Sequence, residues 1–120
     1  MKYDVIIIGA GPGGIFAAYE LMQQKPEWKV AVFEAGHSLA KRKCPIDGKK
    51  IKSCIRCASC AIMNGFGGAG AFSDGKLSLS PDVGGNLPEI LGYDETAKLI
   101  KEVDEVYLLH VNANYVREDS

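Results

Sequence analysis

Hydrophobic positions gather into three stretches of the chain, with polar and glycine-rich segments between them. Residues 3–8 form a short β-branched run in which Val5, Ile6, Ile7 and Ile8 leave no polar face. That pattern predicts a strand covered on both sides, as in the middle of a parallel sheet. Residues 9–14 hold four glycines in six positions and open into a helical pattern over 15–24, with Ile15, Ala18 and Leu21 or Met22 inward and Pro26 as the stop. Residues 29–34 predict a second strand through Val30, Val32 and Phe33. Strand, helix and strand joined by short connections imply parallel strands and a right-handed crossover. Residues 77–92 hold Pro81, Gly84, Gly85, Pro88 and Gly92 and predict loop. From Asp94, placed as an N-cap, the spacing of Ala97, Leu99, Ile100, Val103, Val106 and Tyr107 predicts a helix. The tail from His110 has no clear pattern, and no internal repeat is visible.

The chemistry is densest at Gly9-Ala10-Gly11-Pro12-Gly13-Gly14. Gly9, Gly11 and Gly14 satisfy G-x-G-x-x-G, a weak signal alone but a strong one directly after a strand and at the start of a helix. Gly9 permits the tight turn, Gly11 leaves room for a pyrophosphate against the backbone, and Gly14 lets helix and sheet pack closely. The amides at the helix start, including that of Gly13, then face the phosphates. Glu34, at the end of the second strand, would accept hydrogen bonds from ribose hydroxyls and repel a 2′-phosphate, which disfavours NADP. The bland alternative is a structural turn beside a solvated glutamate. FAD and NAD both use this scaffold.

Bulk numbers narrow the field further. At 120 residues the chain suits one small domain. A net charge of -1 gives no global case for nucleic acid or membrane binding. The apolar run near the N-terminus is interrupted by glycines and closed by Glu20, so it reads neither as a signal peptide nor as a membrane span. A cytoplasmic location is expected. The 14 glycines cluster in two places, and residues 37–92 form a cysteine- and glycine-rich region expected to be largely loop. The expected fold is thus α/β, a partial Rossmann-like βαβ dinucleotide-binding domain over 1–120, with that irregular segment and a C-terminal helix.

Cys54, Cys57 and Cys60 share C-x-x-C spacing, and Cys44 precedes Pro45. Four thiolates could hold an iron–sulfur cluster or zinc, although the order is reversed from the usual ferredoxin run. A disulfide or thiol redox role for one C-x-x-C pair is a second option. On a helix, positions 54, 57 and 60 would instead share one face and pack as core. The basic run around Lys41-Arg42-Lys43 lacks the interleaved aromatics of a nucleic-acid site. In residues 65–75 glycine is dense enough to suggest close backbone approach to another object, a flavin ring or its pyrophosphate, with Ser73, Asp74 and Lys76 as hydrogen-bonding groups. His37 and His110 are lone histidines, and no residue reads as a general base.

Residues 3–14 and 30–34 resemble the opening of flavoprotein oxidoreductases with an N-terminal FAD domain. Lys41-Arg42-Lys43-Cys44-Pro45, the three further cysteines and residues 67–77 in that order resemble a family of poorly characterised FAD-dependent dehydrogenases. The resemblance runs from Met1 to about Leu108 and implies FAD as cofactor, with a small-molecule substrate it does not identify. It also implies that Arg42 reaches the cofactor phosphates; Gly67, Gly68 and Ser73 are further candidate contacts to the cofactor. Members of that family are several times longer, so the chain is expected to be an N-terminal piece that binds FAD weakly or not at all by itself.

Overall fold

A computed structural model describes residues 1–73, 75–110 and 117–118, in two compact units, Met1–Ser73 and Asp74–Ser120. Asp74 and all but two residues of the tail after His110 lie outside the described residues.

The first unit is a mixed α/β arrangement. Strand β1, Val5–Ile8, pairs in parallel with β2, Val30–Phe33, in the register Val5 to Val30 through Ile8 to Phe33. Asp4 fastens the near end, its amide donating to Lys29 O (2.9 Å) and its carboxylate accepting from Lys29 N (2.8 Å). Gly9 N donates to Phe33 O (2.7 Å) at the far end, carrying the pairing into the glycine turn. Between the strands runs helix α1, Pro12–Gln24. It starts three residues before the predicted position because Pro12 is the first helical residue, where its missing N–H costs nothing and its fixed φ suits the helix. Ile15, Ala18 and Leu21 are half-buried on this helix, whereas Met22 is exposed.

The expected covering of both sheet faces is absent among the described residues: Ile6 is 55% and Ile8 82% exposed, and in the first unit Ala10 is the one apolar side chain that is fully buried. Residues 54–60 are not helical, so the three cysteines do not form a helix face. The second glycine cluster contains a 3-10 turn, Ala69–Phe72.

In the second unit, a two-residue strand β3, Leu77–Ser78, pairs in parallel with β4, Arg117–Glu118. Helix α2, Leu87–Leu91, and helix α3, Tyr93–His110, follow β3 in the chain. The segment 77–92 is therefore more regular than its prolines and glycines predict. Gly92, at φ 87°, separates the helices, and Thr96 Oγ1 donates to its carbonyl (2.8 Å). Asp94 lies inside the first turn of α3 rather than capping it, because α2 delivers the chain already turned. Leu77, Leu87, Leu99, Ile100 and Val103 border one apolar cavity of about 190 Å³.

Candidate functional site

The predicted dinucleotide residues meet at the exit of β1. Gly9 has φ +100°, a conformation that a side chain would strain. Gly11 is the N-cap of α1, and no side chain caps it. A Cβ on Gly13 would meet nothing within 4 Å, so this end of the helix opens outward. A Cβ on Gly14 would overlap the Gly9 carbonyl oxygen and stand 3.3 Å from Ile7 Cγ2. Gly14 thus permits the close helix–strand packing expected of it.

Glu34 lies just past β2 and turns back to this corner. Its Oε2 accepts from Ala10 N (2.7 Å) and its Oε1 from Gly36 N (2.8 Å). A carboxylate has about four acceptor positions, so lone pairs remain for further donors. The amide of Ala10 and then that of Gly36 hold the carboxyl below its ordinary value against some desolvation, with smaller help from the charge of Arg42. A carboxylate depressed in the folded state contributes stability above its unfolded value and loses it as pH falls through the folded one. Thermal melting should therefore weaken below about pH 4.5, and Glu34→Gln should show a shallower acid dependence. Parallel melting curves for the two proteins would show that Glu34 contributes nothing to it.

Arg42, expected at the cofactor phosphates, is only 3% exposed and faces protein carbonyls. Its Nε donates to Ala61 O (2.8 Å), one terminal nitrogen to Phe66 O (2.7 Å) and Gly68 O (2.8 Å), and the other to Ile62 O (2.6 Å). Its guanidinium also lies 4.7 Å from the Phe72 ring centre, within cation–π range. No signal in the sequence announces this role, since all four acceptors are backbone atoms.

What Arg42 holds is the second glycine cluster, and that cluster lies on the first. Gly67 N donates to Ala10 O (2.7 Å). A Cβ on Gly68 would stand 3.0 Å from both Gly11 Cα and Pro12 Cδ. One on Gly36 would stand 2.6 Å from Gly65 Cα. The close approach read from the glycine density is thus made, among the described residues, to the chain's own backbone. Gly67 and Gly68 border the Gly11 corner, while Ser73, whose amide donates to Gly70 O (3.2 Å), follows the 3-10 turn.

All four cysteines are free, and all border one cavity of about 80 Å³. Among the described residues no three His, Cys, Asp or Glu side chains converge to hold a metal ion. The iron–sulfur or zinc centre considered from the spacing is therefore not supported. The irregular course of residues 54–60 presents the sulfurs around a cavity rather than on a common centre. Nor is any described helix long and apolar enough to cross a membrane.

Comparison with known proteins adds to this geometry. The Thi4 family matches residues 1–41, which contain β1, α1, β2 and Glu34 but neither Arg42 nor any cysteine. An uncharacterized protein of Clostridium beijerinckii is 40% identical over 78 residues, 65% of this chain and 14% of that protein. NAD(P)H coenzyme A polysulfide/persulfide reductase of Pyrococcus horikoshii is 46% identical over 46 residues, 38% of this chain and 10% of its own length. Thiamine thiazole synthase of Yarrowia lipolytica is 54% identical over 33 residues, 28% of this chain and 10% of its own. The chain thus spans between 10% and 14% of these relatives. No solved structure matches it at a significant level. The comparisons bear out, for the N-terminal region, the resemblance to FAD-dependent oxidoreductases.

Proposed function

We propose that the first unit is a partial Rossmann-like fold that holds the ADP half of FAD, as the cofactor-binding part of a flavin-dependent oxidoreductase. One observation carries this reading: the uncapped start of α1 and the ionised carboxylate of Glu34 lie on either side of Ala10. A helix start offers amides and a positive dipole end to a diphosphate. The corner fits such a group, because a Cβ on Gly11 would meet only Gly68 Cα, at 4.0 Å, and one on Gly13 would meet nothing. Gly9, Gly11, Gly13 and Gly14 would shape the diphosphate seat, and Glu34 would take the ribose through its remaining lone pairs. Gly67 and Gly68 would form an adjoining wall that Arg42 holds from behind, with Ser73 near its end. When bound, FAD would supply the redox chemistry, and these residues would bind and orient it.

The test is a titration of the isotope-labelled chain with ADP at up to millimolar concentration, followed by amide shifts. Shifts should concentrate at Gly11, Gly13, Gly14 and Gly36. ADP bearing a 2′-phosphate should bind about tenfold more weakly, because the charge of Glu34 repels it. FAD should bind more tightly than NAD. An unperturbed corner at millimolar ADP removes the proposal, and tighter binding of NAD reassigns the site to that nucleotide.

A further inference from the structure

The guanidinium of Arg42 bridges two neighbouring segments of the first unit. On one side it donates to Ala61 O (2.8 Å) and Ile62 O (2.6 Å), in a turn that starts at Cys60. The Cys60 carbonyl closes that turn by accepting from Met63 N (3.1 Å) and Asn64 N (2.8 Å). On the other side Arg42 donates to Phe66 O (2.7 Å) and Gly68 O (2.8 Å), in the second glycine loop. That loop rests on the exit of β1. Gly67 N donates to Ala10 O (2.7 Å), and Gly68 lies so close to Gly11 that a Cβ on it would stand 3.0 Å from Gly11 Cα. Turn, guanidinium, loop and corner thus form one continuous chain of contacts, the kind of path along which two sites can be coupled.

The turn also borders the cysteine cavity. Cys60 and Ala61 line it together with Cys44, Cys54 and Cys57. Cys60 differs from the other three in two ways. It is half-buried where they are exposed, and its own backbone closes the turn that Arg42 holds. A group attached to an exposed thiol can extend into solvent, but one attached to Cys60 must share space with the turn. The cavity is about 80 Å³, enough for a few water molecules and too little for a tripeptide. Arg56 borders it as well, and Lys49, Lys50 and Lys52 are close in sequence. Asp47 is the one acid in residues 41–56, and its carboxylate accepts from the amides of Lys49 and Ile51. This excess of positive charge attracts an anionic reactant.

We propose that Cys60 is a modification site that controls the docking of the second glycine loop, and that its reactant is an anionic low-molecular-weight disulfide. The Cys60 sulfur, having lost its proton, attacks one sulfur of the small disulfide. A mixed S–S bond forms, the original S–S bond breaks, and the other half leaves as a thiolate that takes up the proton. The adduct outgrows the cavity and displaces residues 60–62. Arg42 then loses two of its four carbonyl partners, and its hold on Phe66 and Gly68 slackens. The loop leaves Gly11, and the diphosphate seat loses a wall. That last step rests on the FAD reading, whereas release of the loop does not.

The test treats the reduced full chain with oxidised glutathione and maps the adducts by mass spectrometry. Amide hydrogen exchange is then followed at Gly67, which donates to Ala10 O, and at Gly9, which donates to Phe33 O beside the strand pairing. Modification of Cys60 should speed exchange at Gly67 about tenfold or more and leave Gly9 protected. Dithiothreitol should restore the original rate. A Cys60→Ser chain carrying glutathione on Cys44, Cys54 and Cys57 should keep Gly67 protected. ADP should bind the modified wild-type chain about tenfold more weakly than the reduced one. The proposal is overturned by no adduct at Cys60, by an unchanged Gly67 rate with the adduct in place, by equal release in Cys60→Ser, or by equal loss of protection at Gly9. If the reduced chain binds no ADP while Gly67 responds as expected, the FAD reading fails and control of the loop by Cys60 stands.

Discussion

Replacing Arg42 by alanine should destabilise the first unit by about 3–5 kcal/mol, the largest effect expected of any polar side chain in it. The side chain is 3% exposed and serves four backbone carbonyls, those of Ala61, Ile62, Phe66 and Gly68. Hydrogen bonds to a charged donor contribute about 1.5–3 kcal/mol each, and water can restore some of these carbonyls because Phe66 is exposed. The loss is therefore smaller than a simple sum, yet still large against a total domain stability of about 5–15 kcal/mol. Lysine should not rescue it, since one ammonium cannot reproduce a planar fork with donors in several directions. Denaturant unfolding measures the cost. Hydrogen exchange at Gly67, whose amide donates to Ala10 O, reports whether the second glycine loop has left the first. A phosphate ligand would behave differently: its removal would lower nucleotide affinity and leave stability nearly unchanged. Wild-type stability in Arg42→Ala, with Gly67 still protected, would return Arg42 to that role.

The contrast between Arg42 and Glu34 explains how far the sequence could be read. Glu34 has a fixed place in a local pattern, because strand, turn, helix and strand all lie within residues 1–41 and each fixes the next. The spacing alone therefore put its carboxylate near Gly9 and Gly11, and the bond to Ala10 N agrees. The partners of Arg42 lie 19 to 26 residues away, in a segment with no periodicity. They are carbonyls, which every residue has, so no residue type marks them. The glycine-rich cluster was legible as close approach, but what it approaches depends on a fold contact, Gly68 against Gly11, that composition does not encode. In the second unit Asp94 looked like a cap because loop was expected before it. The short helix Leu87–Leu91 overrode the breakers Pro88 and Gly92, one sitting in its first turn and the other just past its end, where each is tolerated.

Alanine at Gly14 and alanine at Gly11 should separate folding from binding. At Gly14 the new Cβ would overlap the Gly9 carbonyl oxygen and come within 3.1 Å of Gly9 C and 3.3 Å of Ile7 Cγ2. Two of those atoms are backbone, so relief requires α1 to move off the end of β1 rather than a side chain to rotate. Overpacking of that kind costs about 3 kcal/mol, which would be visible as a lower denaturation midpoint. At Gly11 the backbone has φ -77°, which any residue adopts, and the new Cβ would meet only Gly68 Cα at 4.0 Å. The fold should lose at most about 1 kcal/mol, the difference between glycine and alanine as an N-cap. Its methyl, however, would lie against the diphosphate seat, so ADP shifts at Gly13 and Gly14 should weaken about tenfold or more. The two variants thus assign different duties to two glycines of one motif. Equal loss of stability in both would mean that Gly11 serves packing alone. Normal ADP binding in Gly11→Ala would mean that the diphosphate approaches elsewhere, and the helix start would then be architecture without a ligand.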